Sequence, residues 1–284
     1  MSQPRVRLDF TDFWHPDTAL EKQDNPLYRL LSRRFDVEIC DDPDFLIYSC
    51  FGQRYRWYRC TRIFYTGENR RPDYDACDYA FTFDYPVTER NYRLPLYGLY
   101  DEVTGLLEPR NAEAFVVEKS RFCNFIYSNH LASERLDFLG RLQRYKSVDC
   151  GGPVANNLGF VVPRSQTVSF RRPYKFTIAF ENSAYPGYTT EKIMHAFLAG
   201  SLPIYWGNPD VGRDFNLRAF INCGAFASFD DVIDHVIEVD RDDSLLARYL
   251  AEPPFVGNRF NEFIDADNVL ARFEAIFFGA VARR

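Results

Sequence analysis

The chain has 284 residues, 46% of them hydrophobic and 26% charged, which excludes a disordered polypeptide and leaves room for two domains of ordinary size. A formal net charge of −6 argues against non-specific affinity for nucleic acid or anionic membrane. No apolar run approaches the ~20 residues that a membrane-spanning helix needs. Aromatic residues reach 17% of the chain; most are expected in the core, with a few left to serve as stacking platforms for sugar rings. The seven cysteines (Cys40, Cys50, Cys60, Cys77, Cys123, Cys150 and Cys223) are dispersed, odd in number and without a CxxC pair. No apolar leader opens the chain, so reduced thiols and a cytoplasmic setting are the expectation.

In chain order, residues 5–10 read as a first strand and 25–34 as an amphipathic helix with Pro26 near its start. Short stretches rich in β-branched and aromatic residues follow at 37–40, 45–50, 62–65 and 79–83, and this rhythm points to a parallel sheet with helical crossovers. Residues 134–145 read as a helix N-capped by Ser133. The Cys150-Gly-Gly-Pro153 cluster is the strongest breaker in the chain, and the domain boundary is expected there, giving domains 1–150 and 151–284. Beyond it a strand at 175–180, a helix at 191–199 ended by Gly200 and a strand at 202–206 make a βαβ unit. A short strand at 221–222, helices at 229–239 and 244–251, and a final amphipathic helix at about 267–280 that packs back on the first domain complete the reading.

The segment from Phe180 to Lys192 carries the chemistry. A strand ends at Phe180, a polar turn with Pro186 and Gly187 follows, and a helix opens at about Thr190. In an open α/β sheet, strand carboxyl ends and helix amino ends face the ligand crevice. The unpaired N–H groups at Glu191 and Lys192, with the positive end of the helix dipole, suit a phosphate. Lys192 can add a full charge to a diphosphate, and Glu191 can accept hydrogen bonds from ribose hydroxyls. Read as pattern alone, the same residues also make a well-capped surface helix with an acidic first turn.

Residues 176–216 (FTIAFENSAYPGYTTEKIMHAFLAGSLPIYWGNPDVGRDFN) resemble the donor-site signature of the α1,3/4-fucosyltransferase family, with FEN, GY-T-TEKI, PIYWG-P and DFN in family order. Residues 62–69 (RIFYTGEN), followed by DYAFTFD and RLPLY, resemble the acceptor-side block of the bacterial members, and Gly151 to Gly159 with Asn156 and Asn157 resembles the loop preceding the donor domain. The resemblance implies an α/β fold of the GT-B type, two Rossmann-like domains facing across a cleft, with the acceptor on the first and GDP-fucose on the second. It implies inverting transfer of fucose to an N-acetyllactosamine-type glycan, with α1,3 linkage as the default and α1,4 linkage on type 1 chains as the alternative. No cofactor or metal is expected. The heptad repeats and basic tail of bacterial members are not found after the catalytic region, so peripheral membrane contact has no support in the sequence.

By the same resemblance Glu68 is the general base, at a turn where Gly67 lets the backbone bend. Arg135 meets the diphosphate from the first domain, Lys192 is the second diphosphate cation, and Asn182, Tyr188 and Glu191 contact the donor. Trp206 is expected in the core beneath the site, and acceptor specificity is expected in residues 85–118. Four Asp-x-Asp triplets (Asp42/Asp44, Asp73/Asp75, Asp240/Asp242 and Asp265/Asp267) lie outside these blocks and read as chance in an acidic chain. His15, His130, His195 and His235 lack metal spacing, and no P-loop, GxGxxG or GxSxG occurs. A transferase of the same architecture using another nucleotide sugar, and a glycan-binding protein without activity, are the competing readings.

Overall fold

The computed structural model describes residues 3–279 as two compact units, one formed by residues 3–101 with 260–279 and the other by Glu102–Arg259. The first unit holds a six-stranded sheet of β1 (Arg5–Thr11), β2 (Asp36–Ile39), β3 (Phe45–Tyr48), β4 (Thr61–Tyr65), β5 (Tyr79–Thr82) and β6 (Asn91–Arg93), in spatial order β2-β1-β3-β4-β5-β6. Every pairing in it is parallel. The strands are short and near-continuously apolar because a parallel sheet is covered on both faces. Val6, Leu8, Ile47, Ile63 and Phe81 share a core with Leu27 and Leu31 of α2 (Pro26–Leu31), whereas α1 (Ala19–Gln23) buries no side chain. Asn25 caps α2 by accepting from Leu27 N at 2.9 Å, and Pro26 stands at the first helical position, where no N–H is needed.

The second unit repeats the plan. Its sheet comprises β7 (Arg121–Phe125), β8 (Val148–Cys150), β9 (Tyr174–Phe180), β10 (Leu202–Trp206) and β11 (Ile221–Asn222), in order β11-β10-β9-β7-β8 and parallel throughout. Helices α3 (Ala112–Glu118), α4 (Ser133–Leu142), α5 (Thr167–Arg171), α6 (Glu191–Leu198), α7 (Phe229–Arg241) and α8 (Asp243–Ala251) surround it. The last helix, α9 (Ala266–Gly279), belongs to the first unit, where Val269, Leu270, Phe273, Ile276 and Phe277 enter the core and Phe273 stacks on Phe81 at 4.1 Å. Counted within each sheet, both orders run 2-1-3-4-5, with a sixth strand added in the first unit. The order reverses between β1 and β3 in one sheet and between β7 and β9 in the other, and such reversals open a crevice at the strand carboxyl ends.

Two expectations change. The boundary at Cys150–Pro153 falls inside the second unit, because β7 and β8, which precede it, pair with β9. Arg121–Phe125 (RFCNF) carries an arginine and an asparagine and does not read as a central strand; Asn124 is accommodated because its side chain donates to Phe176 O at 3.0 Å and Thr177 Oγ1 at 2.8 Å. The 85–118 stretch is likewise divided, since residues after Asp101 belong to the second unit.

Candidate functional site

In the second unit the segment between β9 and α6 is folded around one buried carboxylate. Glu181, the first residue after β9, is 0% exposed. It accepts from Thr190 N and Thr190 Oγ1, each at 2.7 Å, and from Lys192 Nζ at 3.1 Å. Gly207, after β10, makes room for it: its φ is +150°, and a Cβ there would lie 2.6 Å from Glu181 Cβ and Cγ. A buried charge of this kind persists only when it is paired and hydrogen-bonded, and three donors satisfy it.

The consequence is felt at α6. Thr190 is the N-cap residue, yet its hydroxyl bonds Glu181 and makes no bond to a first-turn N–H group, and the Glu191 carboxylate accepts from its own backbone N–H. The helix dipole and these N–H groups remain directed at whatever sits before the helix. Lys192 Nζ, also donating to Thr190 Oγ1 at 2.8 Å, is pinned beside them with its side chain 16% exposed. Burial works to lower the Lys192 pKa, but Glu181 and Glu191 overcome it and hold the ammonium above the ordinary lysine value. For Glu191, burial pushes upward, while Lys192 and His195 prevail and leave its carboxyl below the usual range. Its Oε1 lies 3.7 Å from Lys192 Nζ. The helix runs on through buried Ile193, Met194, Ala196 and Phe197 and stops at Gly200, which takes a φ of +63°.

Arg135 lies in this second unit, on α4, and not in the first as expected from the sequence. The N-cap of α4 is Ala132, and Ser133 is the first helical residue, so Arg135 stands third in the helix. Its guanidinium is enclosed (1% exposed), with Cζ 3.7 Å above the Tyr127 ring centroid. Nη2 donates to Phe180 O and Asn182 Oδ1, both at 3.0 Å, so the arginine fixes Asn182 at the end of β9. Tyr127 in turn donates to Ile178 O at 2.7 Å and accepts from Phe180 N at 2.8 Å, tying the chain beyond β7 to β9 at the point where the strand order reverses. Tyr188 is buried, and Trp206 packs on Phe180 at 5.9 Å in the core beneath.

The loop between Glu181 and Thr190 is braced by β10's continuation. Asn208 accepts from Gly187 N at 2.7 Å and donates to Thr189 Oγ1 at 2.9 Å, and Thr189 donates to Asp214 Oδ2 at 3.0 Å. Glu181, Thr190, Asn208, Asp214 and Tyr127 were not singled out from the sequence. Four of them lie within residues 176–216, and the signal was an acidic residue directly after a strand, facing a Thr-Thr pair before a helix.

Glu68 stands in the first unit, in the turn after β4. Thr66 Oγ1 accepts from Glu68 N at 3.0 Å and donates to Glu68 O at 3.2 Å, and Arg70 N donates to Glu68 O at 2.6 Å, so the backbone here is wound on itself. Gly67 is not among the left-handed glycines; its lack of a side chain clears Leu96, whose Cδ2 would lie 2.9 Å from a Cβ. Among the described residues no group of three metal-ligating side chains occurs.

His195, on α6, is held neutral: burial drops its pKa from 6.5 to about 4, with Glu191 pulling the other way. Between those values the unfolded chain binds a proton that the folded chain refuses, so stability falls as pH drops through this window. We expect this one group to account for about 2 kcal/mol of stability lost between pH 7 and pH 5. Urea denaturation of wild type and His195→Leu at both pH values checks it, and equal losses in the two proteins would exclude the assignment.

Residues 8–100 match the family model described as Alpha-(1,3)-fucosyltransferase FucT N-terminal domain, and residues 116–252 match Glycosyltransferase family 10 (fucosyltransferase) C-term. Alpha-(1,3)-fucosyltransferase FucT of Helicobacter pylori is 29% identical over 277 residues, covering 83% of this chain and 57% of that protein. The chain spans about half the length of the curated relatives it matches. A crystal structure of an α1,3-fucosyltransferase superposes with a TM-score of 0.84 at 28% identity, covering 97% of this chain and 91% of that one. Its counterpart with GDP-fucose gives 0.81 at 27% identity, covering 98% and 92%. Two consecutive matches, one on each sheet, make this chain a member of the glycosyltransferase family 10 fucosyltransferases.

Proposed function

We propose that the chain transfers L-fucose from GDP-β-L-fucose to a hydroxyl of an N-acetyllactosamine-type or related glycan, forming an α1,3 linkage with inversion in a single displacement. The observation that carries this reading is the Glu181–Lys192 pair at an uncapped helix N-terminus in a fucosyltransferase sheet. The diphosphate would take the first-turn N–H groups of α6, with Lys192 beside it as a fixed, permanently charged partner. Glu191, ionised across the physiological range, suits the ribose hydroxyls. Asn182 and Tyr188 would contact the donor from the loop, Asn182 held in place by Arg135. Arg135, enclosed as it is, would contribute its charge to the leaving GDP from beneath and act through Asn182.

Inversion requires a base at the attacking hydroxyl. Glu68, at the carboxyl end of a first-unit strand, is the proposed base, and the hydrogen-bonded turn around it fixes its backbone. The fixed cation and the helix N-terminus supply the charge that a divalent metal supplies in other transferases, so metal-independent transfer belongs to the proposal. A cytoplasmic setting fits the seven unbridged cysteines.

Replacing Glu68 by Gln should leave GDP affinity intact and cut transfer by at least ~100-fold; a near-normal rate would remove this residue from the mechanism. Lys192→Ala should weaken GDP and GDP-fucose by roughly ten-fold or more in calorimetric titration while the acceptor KM stays put, since a charge-assisted contact is lost. Unchanged donor affinity would defeat the phosphate role. Transfer should persist in EDTA, and loss reversed by Mn²⁺ would bring the Asp-x-Asp pairs back into consideration.

A further inference from the structure

The proposed chemistry leaves one constructed feature of the first unit unused. The strand order of its sheet reverses between β1 and β3, and the loops leaving those two strands are laced together. Ser49 N donates to Thr11 O at 3.2 Å and Phe51 N to Asp12 O at 3.0 Å. Asp12 takes a left-handed φ of 61°, a conformation that costs an ordinary residue free energy and persists only where its surroundings impose it. Its buried carboxylate accepts from Arg54 N at 3.0 Å and Tyr55 N at 2.9 Å, closing the second loop onto the first. Gly52 is required in this arrangement, because a Cβ there would collide with Asp12 Oδ1.

What this scaffold displays is a pair of aromatic rings. Trp14 is 47% and Phe51 50% exposed, and they meet edge to face at 6.3 Å. The pair is anchored inward. Trp14 contacts buried Phe13 at 5.8 Å, and Phe13 stacks on Tyr65 at 6.5 Å with an interplanar angle of 15°. Tyr65 is the last residue of β4 and leads directly into the Thr66–Glu68 turn. His15 stacks on Phe13 at 5.9 Å beside the pair, and Ser49, also at this strand end, has a buried hydroxyl with no hydrogen-bond partner among the described residues. Two half-exposed rings fall far short of the roughly 800 Å² that each partner buries in a stable protein interface. Ring faces backed by buried aromatics, at a sheet's topological switch point, suit instead a small ligand with apolar C–H faces.

We propose that Trp14 and Phe51 form a stacking subsite for a sugar ring of the acceptor, distinct from the ring whose hydroxyl Glu68 deprotonates. This rests on the reading of the first unit as the acceptor side. The hydrogen bonds made by Asp12 are the means by which the two loops hold the rings in place.

Steady-state kinetics with GDP-fucose and N-acetyllactosamine test it. Trp14→Ala and Phe51→Ala should each raise the acceptor KM roughly five- to ten-fold, the size of a lost ring–ring contact, while kcat and the GDP-fucose KM change little. Trp14→Tyr should restore most of the loss, which a merely structural role would not require. An unchanged acceptor KM in the Trp14→Ala/Phe51→Ala double variant, with thermal unfolding as in wild type, overturns the subsite and leaves the transfer reaction standing. If wild type turns over no GDP-fucose, the transfer reading fails by itself, and saturation-transfer NMR with N-acetyllactosamine decides the subsite. Sugar signals present in wild type and lost in Trp14→Ala support it; no signals in wild type overturn it.

Discussion

The second unit depends on a carboxylate placed where water cannot reach it. Glu181 is buried at the end of β9, and burial alone would drive it to the neutral form. Three donors drawn from the opposite side of the loop keep it satisfied, and in doing so they fix Thr190, the start of α6 and the position of Lys192. Removing one member of a buried ion pair typically costs about 3–5 kcal/mol, because the remaining charge has no solvent to fall back on. The arrangement therefore acts as a stop: the ammonium cannot swing into solvent, and the first-turn N–H groups of α6 are not consumed by their own N-cap. Charge preorganised in this way needs no reorganisation when an anionic ligand arrives.

Around that pair each neighbouring element holds its own part of the loop. Tyr127 fastens β9 to the chain leaving β7, Arg135 bridges Phe180 and Asn182, and Asn208 with Asp214 binds the Gly187–Thr189 turn. These bonds satisfy most of the buried polar atoms of the loop, though Arg135 Nε has no hydrogen-bond partner among the described residues. The first unit uses the same strand order for a different end. There the strand-end loops present Glu68 on a tightly bonded turn and two aromatic rings held out by a strained aspartate. In both sheets the residues of interest gather at the carboxyl ends of parallel strands, where helix amino ends and loops converge for reasons of connectivity.

The elements that could be read from the sequence were those whose apolar pattern is self-contained. The βαβ run of β9, α6 and β10 appears within a residue of its expected limits, because buried strands are continuous apolar runs and Gly200 ends the helix by its φ. Strand β7 was missed because its polar Asn124 is tolerated only by partners some fifty residues away, and with it went the true limit of the second unit. The placement of Arg135 erred with it, because α4 follows β7 and belongs to the same unit. Gly67 lies in a bend as read, and it also clears Leu96, a requirement that depends on a side chain well downstream.

By itself the sequence determined that parallel α/β units carry a helix opening at about Thr190, with Glu191 and Lys192 at its start, and it carried the blocks that mark the fucosyltransferase family. Local spacing suffices there, since residues adjacent in a strand, turn and helix are fixed relative to one another by backbone geometry. Only the tertiary structure decided which charges are locked and which rings are displayed. The Glu181–Lys192 pair, the Arg135–Asn182 bond and the Asp12 scaffold under Trp14 and Phe51 arise from burial and from contacts between separate segments. Both are properties of the folded chain as a whole, and no window of sequence contains them.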